Sequence, residues 1–161
     1  ILSYKEYNKA ITDYTTAINL EPHDASAYNM RGVAYLYQGH YDQARTDFTM
    51  AIAIDPQYAA AHNNLCWLGS LMRQETDVIS SCNRAIELAP EDGNNFDSRG
   101  LARALAGNYM GAIDDFEIYI QWSKKNGLNE SLVPKREKWI TELKAGRNPF
   151  DQETLEELKT E

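Results

Sequence analysis

The sequence predicts an all-α fold built as a stack of helical hairpins. Three observations predict it. Landmark residues recur every 34 positions: Gly32, Cys66 and Gly100; Ala10, Ala44, Val78 and Ala112; Tyr14, Phe48, Cys82 and Phe116; Ala17, Ala51 and Ala85; Pro22, Pro56 and Pro90. Inside each repeat, apolar residues return at three- and four-residue steps, the stripe of an amphipathic helix. Glycine and proline stand where such helices have to stop. A fixed period of this size marks supersecondary units that bury their apolar faces on one another.

The elements follow in order. Residues 1–24 read as a half unit: one helix with Tyr7, Ala10, Ile11, Tyr14, Ala17 and Ile18 on its stripe, closed by Pro22. Its expected first helix is absent, which predicts either a chain that continues upstream or another chain covering the open face. Residues 25–58 are the complete unit, with a helix ending at Gly39, an antiparallel partner from Tyr41 to Ile54, and Pro56. There the small Gly32, Ala44 and Ala51 let helix axes approach, while Tyr28, Tyr35, Tyr41 and Phe48 fill space. Residues 59–92 keep the period but degrade the pattern. Arg73 replaces the turn glycine, Glu75 the turn tyrosine and Cys66 the helix glycine, so an irregular turn is expected over RQET. Residues 93–125 restore the pattern. After a polar loop, Pro134 opens a capping helix over 134–146, with Trp139, Ile140 and Leu143 on one face. Residues 147–161 form an acidic tail with a short helix, N-capped by Asp151. Basic residues of 135–147 are expected to pair with acidic residues of 151–161, and the whole C-terminal segment to cap the last repeat. A detachable contact for another domain is the alternative role of the tail.

Composition bounds the function. A formal net charge of −8 among 161 residues lacks the Lys/Arg surplus that binding a nucleic-acid backbone or an anionic membrane requires. No apolar run approaches the roughly 18 residues of a membrane span. The N-terminal ILSYKEYNKA has no basic-then-apolar pattern of a signal peptide, and the absence of an initiator Met suggests a trimmed chain. A cytoplasmic location is expected. Two cysteines, Cys66 and Cys82, do not make a disulfide framework. They read as reduced core residues at similar heights on paired helices, close enough for contact, with a redox pair as the alternative.

The segment YNMRGVAYLYQGHYDQARTDFTMAIAIDP carries an aromatic, Gly, Tyr, Gly, Tyr, Ala, aromatic, Ala and Pro at fixed spacing. In this it resembles the tetratricopeptide repeat family. The resemblance covers residues 1 to about 122, as three full units and one half unit, and departs from the pattern in the third. Trp139 with the following GRNPFD resembles tails that follow such repeats in some large bacterial multidomain proteins. The resemblance implies a right-handed superhelical solenoid whose first helices line a concave groove. It implies protein or peptide recognition, not catalysis.

On that reading, Asn29, Asn63 and Asp97 form a polar ladder in the groove, able to hydrogen-bond a peptide backbone. Val33, Trp67 and Leu101 form an apolar ladder one turn on, flanked by Leu36, Tyr37, Leu71, Ala104 and Leu105. Trp67 reads either as a binding anchor or as packing between adjacent first helices. The positions beside the ladder, Ser26, Ala60, Asn94, Met30, Asn64 and Ser98, include no Lys or Arg. A clamp for a peptide C-terminal carboxylate is therefore not expected. Arg31 with Asp47, and Arg99 with Asp115, occur together in two units and are replaced together by Leu65 and Ser81 in the third. They are expected to form structural ion pairs, with Asp13 a competitor for Arg31. His23, His40 and His62 lie apart with no ligand spacing, and no nucleophile or phosphate-loop motif is present. No cofactor, metal or catalytic residue is therefore expected. Two functions remain: a non-enzymatic module binding a protein or peptide in its groove, or a structural and regulatory segment of a larger signalling or effector protein. The second would pack on its own upstream domains or self-associate through the open N-terminal face.

Overall fold

The computed structural model describes residues 3–73 and 78–159. Among these the secondary structure is helical throughout. Helix α1 spans Tyr4–Leu20, α2 Ala25–Tyr37, α3 Tyr41–Ile54, α4 Ala59–Leu71 and α5 Val78–Leu88. Then come α6 Gly93–Leu105, α7 Tyr109–Asn126, a short 3₁₀ turn at Glu130–Leu132, α8 Val133–Lys144 and α9 Gln152–Leu158. The pairs α2/α3, α4/α5 and α6/α7 are the hairpins, and each packs on the next. The first helices α2, α4 and α6 lie side by side. Local chemistry sets the boundaries. Ser3 and Glu6 form a reciprocal capping box on α1. Asp24 and Asp92 accept backbone N–H bonds at the starts of α2 and α6. Gly39 and Gly107 turn the chain at φ 77° and 78°, a conformation that costs glycine little. The third turn falls on residues 74–77, outside the described residues.

Each hairpin is locked between residues 16 apart. In the second unit Gly32 lies under the Phe48 ring, so close that an added Cβ would sit 2.7 Å from Phe48 Cε1. Gly100 meets Phe116 in the same way, also at 2.7 Å. Gly32→Ala should therefore overpack the hairpin and lower unfolding free energy by about 1–3 kcal/mol, readable as a lowered thermal midpoint. In the third unit the two positions are Cys66 and Cys82, and here the chain crosslinks: the sulfurs form a disulfide, with Cα atoms 5.0 Å apart and both residues fully buried. This corrects the expectation of reduced cysteines. A thiol on each of two facing helices fills the space that a ring over a glycine fills elsewhere, and the same closeness of backbones permits the bond.

A second lock lies one residue earlier. Arg31 donates Nε and Nη2 to the two Asp47 carboxylate oxygens, each at 2.8 Å, and Nη1 to Thr15 Oγ1 of α1 at 3.2 Å. Thr15 takes the place foreseen for Asp13. Arg99 donates to Asp115 at 3.0 and 2.8 Å and to Asn83 of α5 at 3.0 Å. Arg103 adds a third bond to Asp115 at 2.8 Å. Each arginine thus ties its own hairpin to the helix of the unit before. The bond to Asp47 strengthens the protonated form of Arg31 and raises its pKa.

Candidate functional site: the concave cleft

The inner faces of α2, α4 and α6 bound a cleft of about 320 Å³. Its walls include Val33 and Tyr37 from α2, Asn63 and Trp67 from α4, and Arg136 and Lys159 from beyond the repeats. Tyr37 is 41% exposed and its ring stacks on Tyr7 of α1, with centroids 5.4 Å apart. Partial burial, with Tyr7 beside it, pushes the Tyr37 phenol above its ordinary pKa. Val33 packs partly buried against Leu36, Phe48 and Leu68. Trp67 is partly buried and joins two apolar clusters, that one and the cluster around Phe116. It serves as packing and as cleft wall together. Asn63 lines the cleft, and its buried Oδ1 accepts no hydrogen bond from the described residues. An orphan buried acceptor is costly, about 1–3 kcal/mol, and a donor brought into the cleft would relieve it.

Three expected groove residues, Asn29, Leu71 and Leu101, are not presented to the cleft, and a fourth, Asp97, borders it but is taken up by Arg136. Asn29 is buried and its Oδ1 accepts from Asn64 Nδ2 at 2.9 Å. Leu71 and Leu101 are core, at 3% and 0% exposure. They pack in one cluster with Trp139, Leu155 and Leu158, because the C-terminal segment covers them. Asp97 is buried under α8, where Arg136 donates Nε at 3.0 Å and Nη2 at 2.6 Å to its carboxylate. The cause is common to the last three: the C-terminal segment crosses onto the concave face instead of stopping at the end of the array.

That segment holds the residues sequence reasoning missed. Arg136 is 1% exposed, with its guanidinium 4.5 Å from the Trp139 ring centroid. The signal was present: Arg136 shares the α8 stripe with Trp139, Ile140 and Leu143, and Asp97 is the one acid in a ladder of amides. The expected charge pairing between α8 and the tail includes, among the described residues, Lys135 to Glu157 at 3.8 Å. Lys144 turns to Glu117 and Arg147 to Glu142.

Among the described residues no group of three or more His, Cys, Asp or Glu side chains could hold a metal ion, and no helix is long and apolar enough to cross a membrane. His62 faces the Pro56 carbonyl oxygen at 3.1 Å.

Two family profiles match the sequence: "Tetratricopeptide repeat" over residues 25–58 and "TPR repeat" over residues 3–39. Residues 3–58 thus match tetratricopeptide repeats. The hairpins wind as the right-handed superhelical solenoid of that fold. Three solved structures show the likeness. A MamA RS-1 ArsTM double mutant superposes at TM-score 0.73 and 16% identity, covering 96% of this chain and 82% of that one. The TPR2B domain of yeast Sti1, in a pHsp70 complex, gives 0.68 and 18%, covering 76% and 98%. The first TPR of Spaghetti (RPAP3), bound to the HSP90 peptide SRMEEVD, gives 0.61 and 22%, covering 73% and 93%. At these identities the likeness speaks for the fold. No curated protein matches the sequence. The fold is that of tetratricopeptide arrays, and the cleft lies on its inner side.

Proposed function

We propose that the chain is a non-enzymatic module that binds a protein or peptide segment in the open part of its concave cleft. The observation that carries this reading is the set that lines it: the half-exposed Tyr37 ring, the Trp67 wall, and the orphan Asn63 Oδ1 in the same cleft. Aromatic anchors beside a backbone-reading amide suit an extended segment. Two similar folds are described with an Hsp70 or HSP90 peptide. Gripping a terminal carboxylate is not part of the proposal, since the cleft cation Arg136 is held by Asp97 and Lys159 lies over the Tyr41 ring. The buried Cys66–Cys82 disulfide favours an oxidising compartment over the cytoplasm.

The test is the double variant Tyr37→Ala with Asn63→Ala, leaving Trp67 in place because it joins two packing clusters. Capture of a crosslinkable partner should fall about 30-fold, the loss expected on removing an anchor worth about 2 kcal/mol. Helical circular dichroism should stay unchanged. Undiminished capture would remove the cleft from consideration.

A further inference from the structure

Helix α9 does not sit where a cap has to sit. The apolar face of α7 is already covered by α8, through the buried Trp139, Ile140 and Leu143. From Gly146 the chain doubles back and α9 lands on α4. Leu155 and Leu158 are each 1% exposed and Phe150 2%. All three share a cluster with Leu71 and Leu101, against Trp67. Lys159 then ends 5.2 Å from the centroid of the Tyr41 ring, at the start of α3. A cap covers the last unit; this segment runs back from the fourth unit to the second.

Arg73 marks the landing point. It holds φ 49° in the register where Gly39 and Gly107 turn the chain. A non-glycine residue is strained there, and such strain is kept where the side chain has work. Here Arg73 Nη2 donates to the Phe150 carbonyl at 2.9 Å. The Arg73 charge also helps hold the Asp151 carboxyl below its usual pKa, after the hydrogen bonds from Thr154. The other side of α9 is acidic and exposed: Glu153, Glu156 and Glu157. A helix of seven residues does not hold by itself in water, so α9 is ordered by the surface it lies on.

We propose that this surface, α4 with Leu101 and the Phe116 and Trp139 rings that receive Phe150, is a docking site for a short acidic amphipathic helix of a partner protein. That helix presents an aromatic residue and a Leu-x-x-Leu pair at the spacing of Phe150, Leu155 and Leu158. The chain's own tail occupies the site in cis until such a helix displaces it. The tail is the template that defines the partner: helix-in-groove recognition is read through anchors at this spacing, and Arg73 and Lys135 supply the matching cations. This rests on reading the concave face as protein-binding, and gives its C-terminal half a partner class. A tethered occupant has an effective concentration near millimolar, so free helices compete poorly until the tail lets go.

The probe is a fluorescent synthetic peptide of residues 147–161, titrated by polarisation into the full chain and into the full chain carrying Leu155→Asp and Leu158→Asp. The released variant should bind at least tenfold tighter than the unmodified chain. A peptide with both leucines replaced by aspartate should bind neither, and adding Arg73→Ala should weaken binding at least threefold. Binding should survive Tyr37→Ala with Asn63→Ala, so this site and the open cleft can fail separately; its loss there would overturn the placement on α4 and the Phe116 and Trp139 rings. No binding to a released variant that still melts cooperatively overturns the proposal. If that variant does not melt cooperatively, hydrogen exchange on the unmodified chain decides: α9 amides should exchange at least tenfold faster than those of α8, and equal protection makes the tail a permanent part of the core. Concentration-dependent dimers that exchange tails would assign the site to a second copy instead.

Discussion

Arg136→Ala lowers the free energy of unfolding by about 3–5 kcal/mol, the cost of stranding a buried charge. The guanidinium is 1% exposed and Asp97 is 7% exposed. Two short bonds join them across 39 residues, from α8 to α6. Truncating the arginine removes the bonds, takes the counter-charge from the buried Asp97 carboxylate, and opens space beside Trp139 and Tyr119. The loss is thus far above the 0–1 kcal/mol of exposed pairs such as Lys124 with Glu137. Urea denaturation of Arg136→Ala, Asp97→Ala and the combination Arg136→Met with Asp97→Leu checks this. The combination should recover most of the loss, because replacing both charges by apolar groups removes the desolvation penalty. A single-variant loss below about 1 kcal/mol would show that the pair does not fasten α8 to the array.

Reducing the Cys66–Cys82 bond should cost about 3 kcal/mol, the loop-closure value for a ring of this length, with 16 residues separating the cysteines. The third unit has little to fall back on. Where its neighbours have an arginine bound to an aspartate, it has Leu65 and Ser81, and where they pack a ring on a glycine it has the two sulfurs. Denaturation with and without dithiothreitol, and with the double Cys→Ala variant, measures the effect. Exchange of α4 and α5 amides should accelerate first on reduction, ahead of α6 and α7. Superimposable curves with and without reductant would make the bond thermodynamically idle.

The hairpins were legible because local patterning determines them. A 34-residue period, stripe spacing and turn glycines say where helices begin, end and pair. The co-occurrence of Arg31 with Asp47 and Arg99 with Asp115 named partners that lie 2.8 Å apart. The site was less legible, for a different reason. Whether Leu71, Leu101 and Asp97 face solvent or core depends on what lies over them, and that comes from the distant C-terminal segment, Arg136 and Trp139 onward. Leu155-x-x-Leu158 reads as one face of a short helix, but spacing does not say what the face rests on. Cys66 and Cys82 were placed at matching heights, while their oxidation is chemistry that register does not encode. Arg136 was counted with its charged neighbours, although its stripe position sets it apart from Lys135 and Lys138.

The arginine bridges divide the array into folding blocks. Arg31 fastens α1 to the α2/α3 hairpin, and Arg99 fastens α5 to the α6/α7 hairpin. The residue in that register on α4 is Leu65, so no such bridge spans the boundary between α3 and α4. That boundary is held by other means: Leu36 and Phe48 share one apolar cluster with Leu68, and Asn64 donates to Asn29 across it. The open cleft straddles the same boundary, with Tyr37 on one side and Asn63 and Trp67 on the other. Lys159, reaching the Tyr41 ring, spans it as well. The width of the cleft is therefore set by side-chain packing between the second and third units, and not by an arginine bridge.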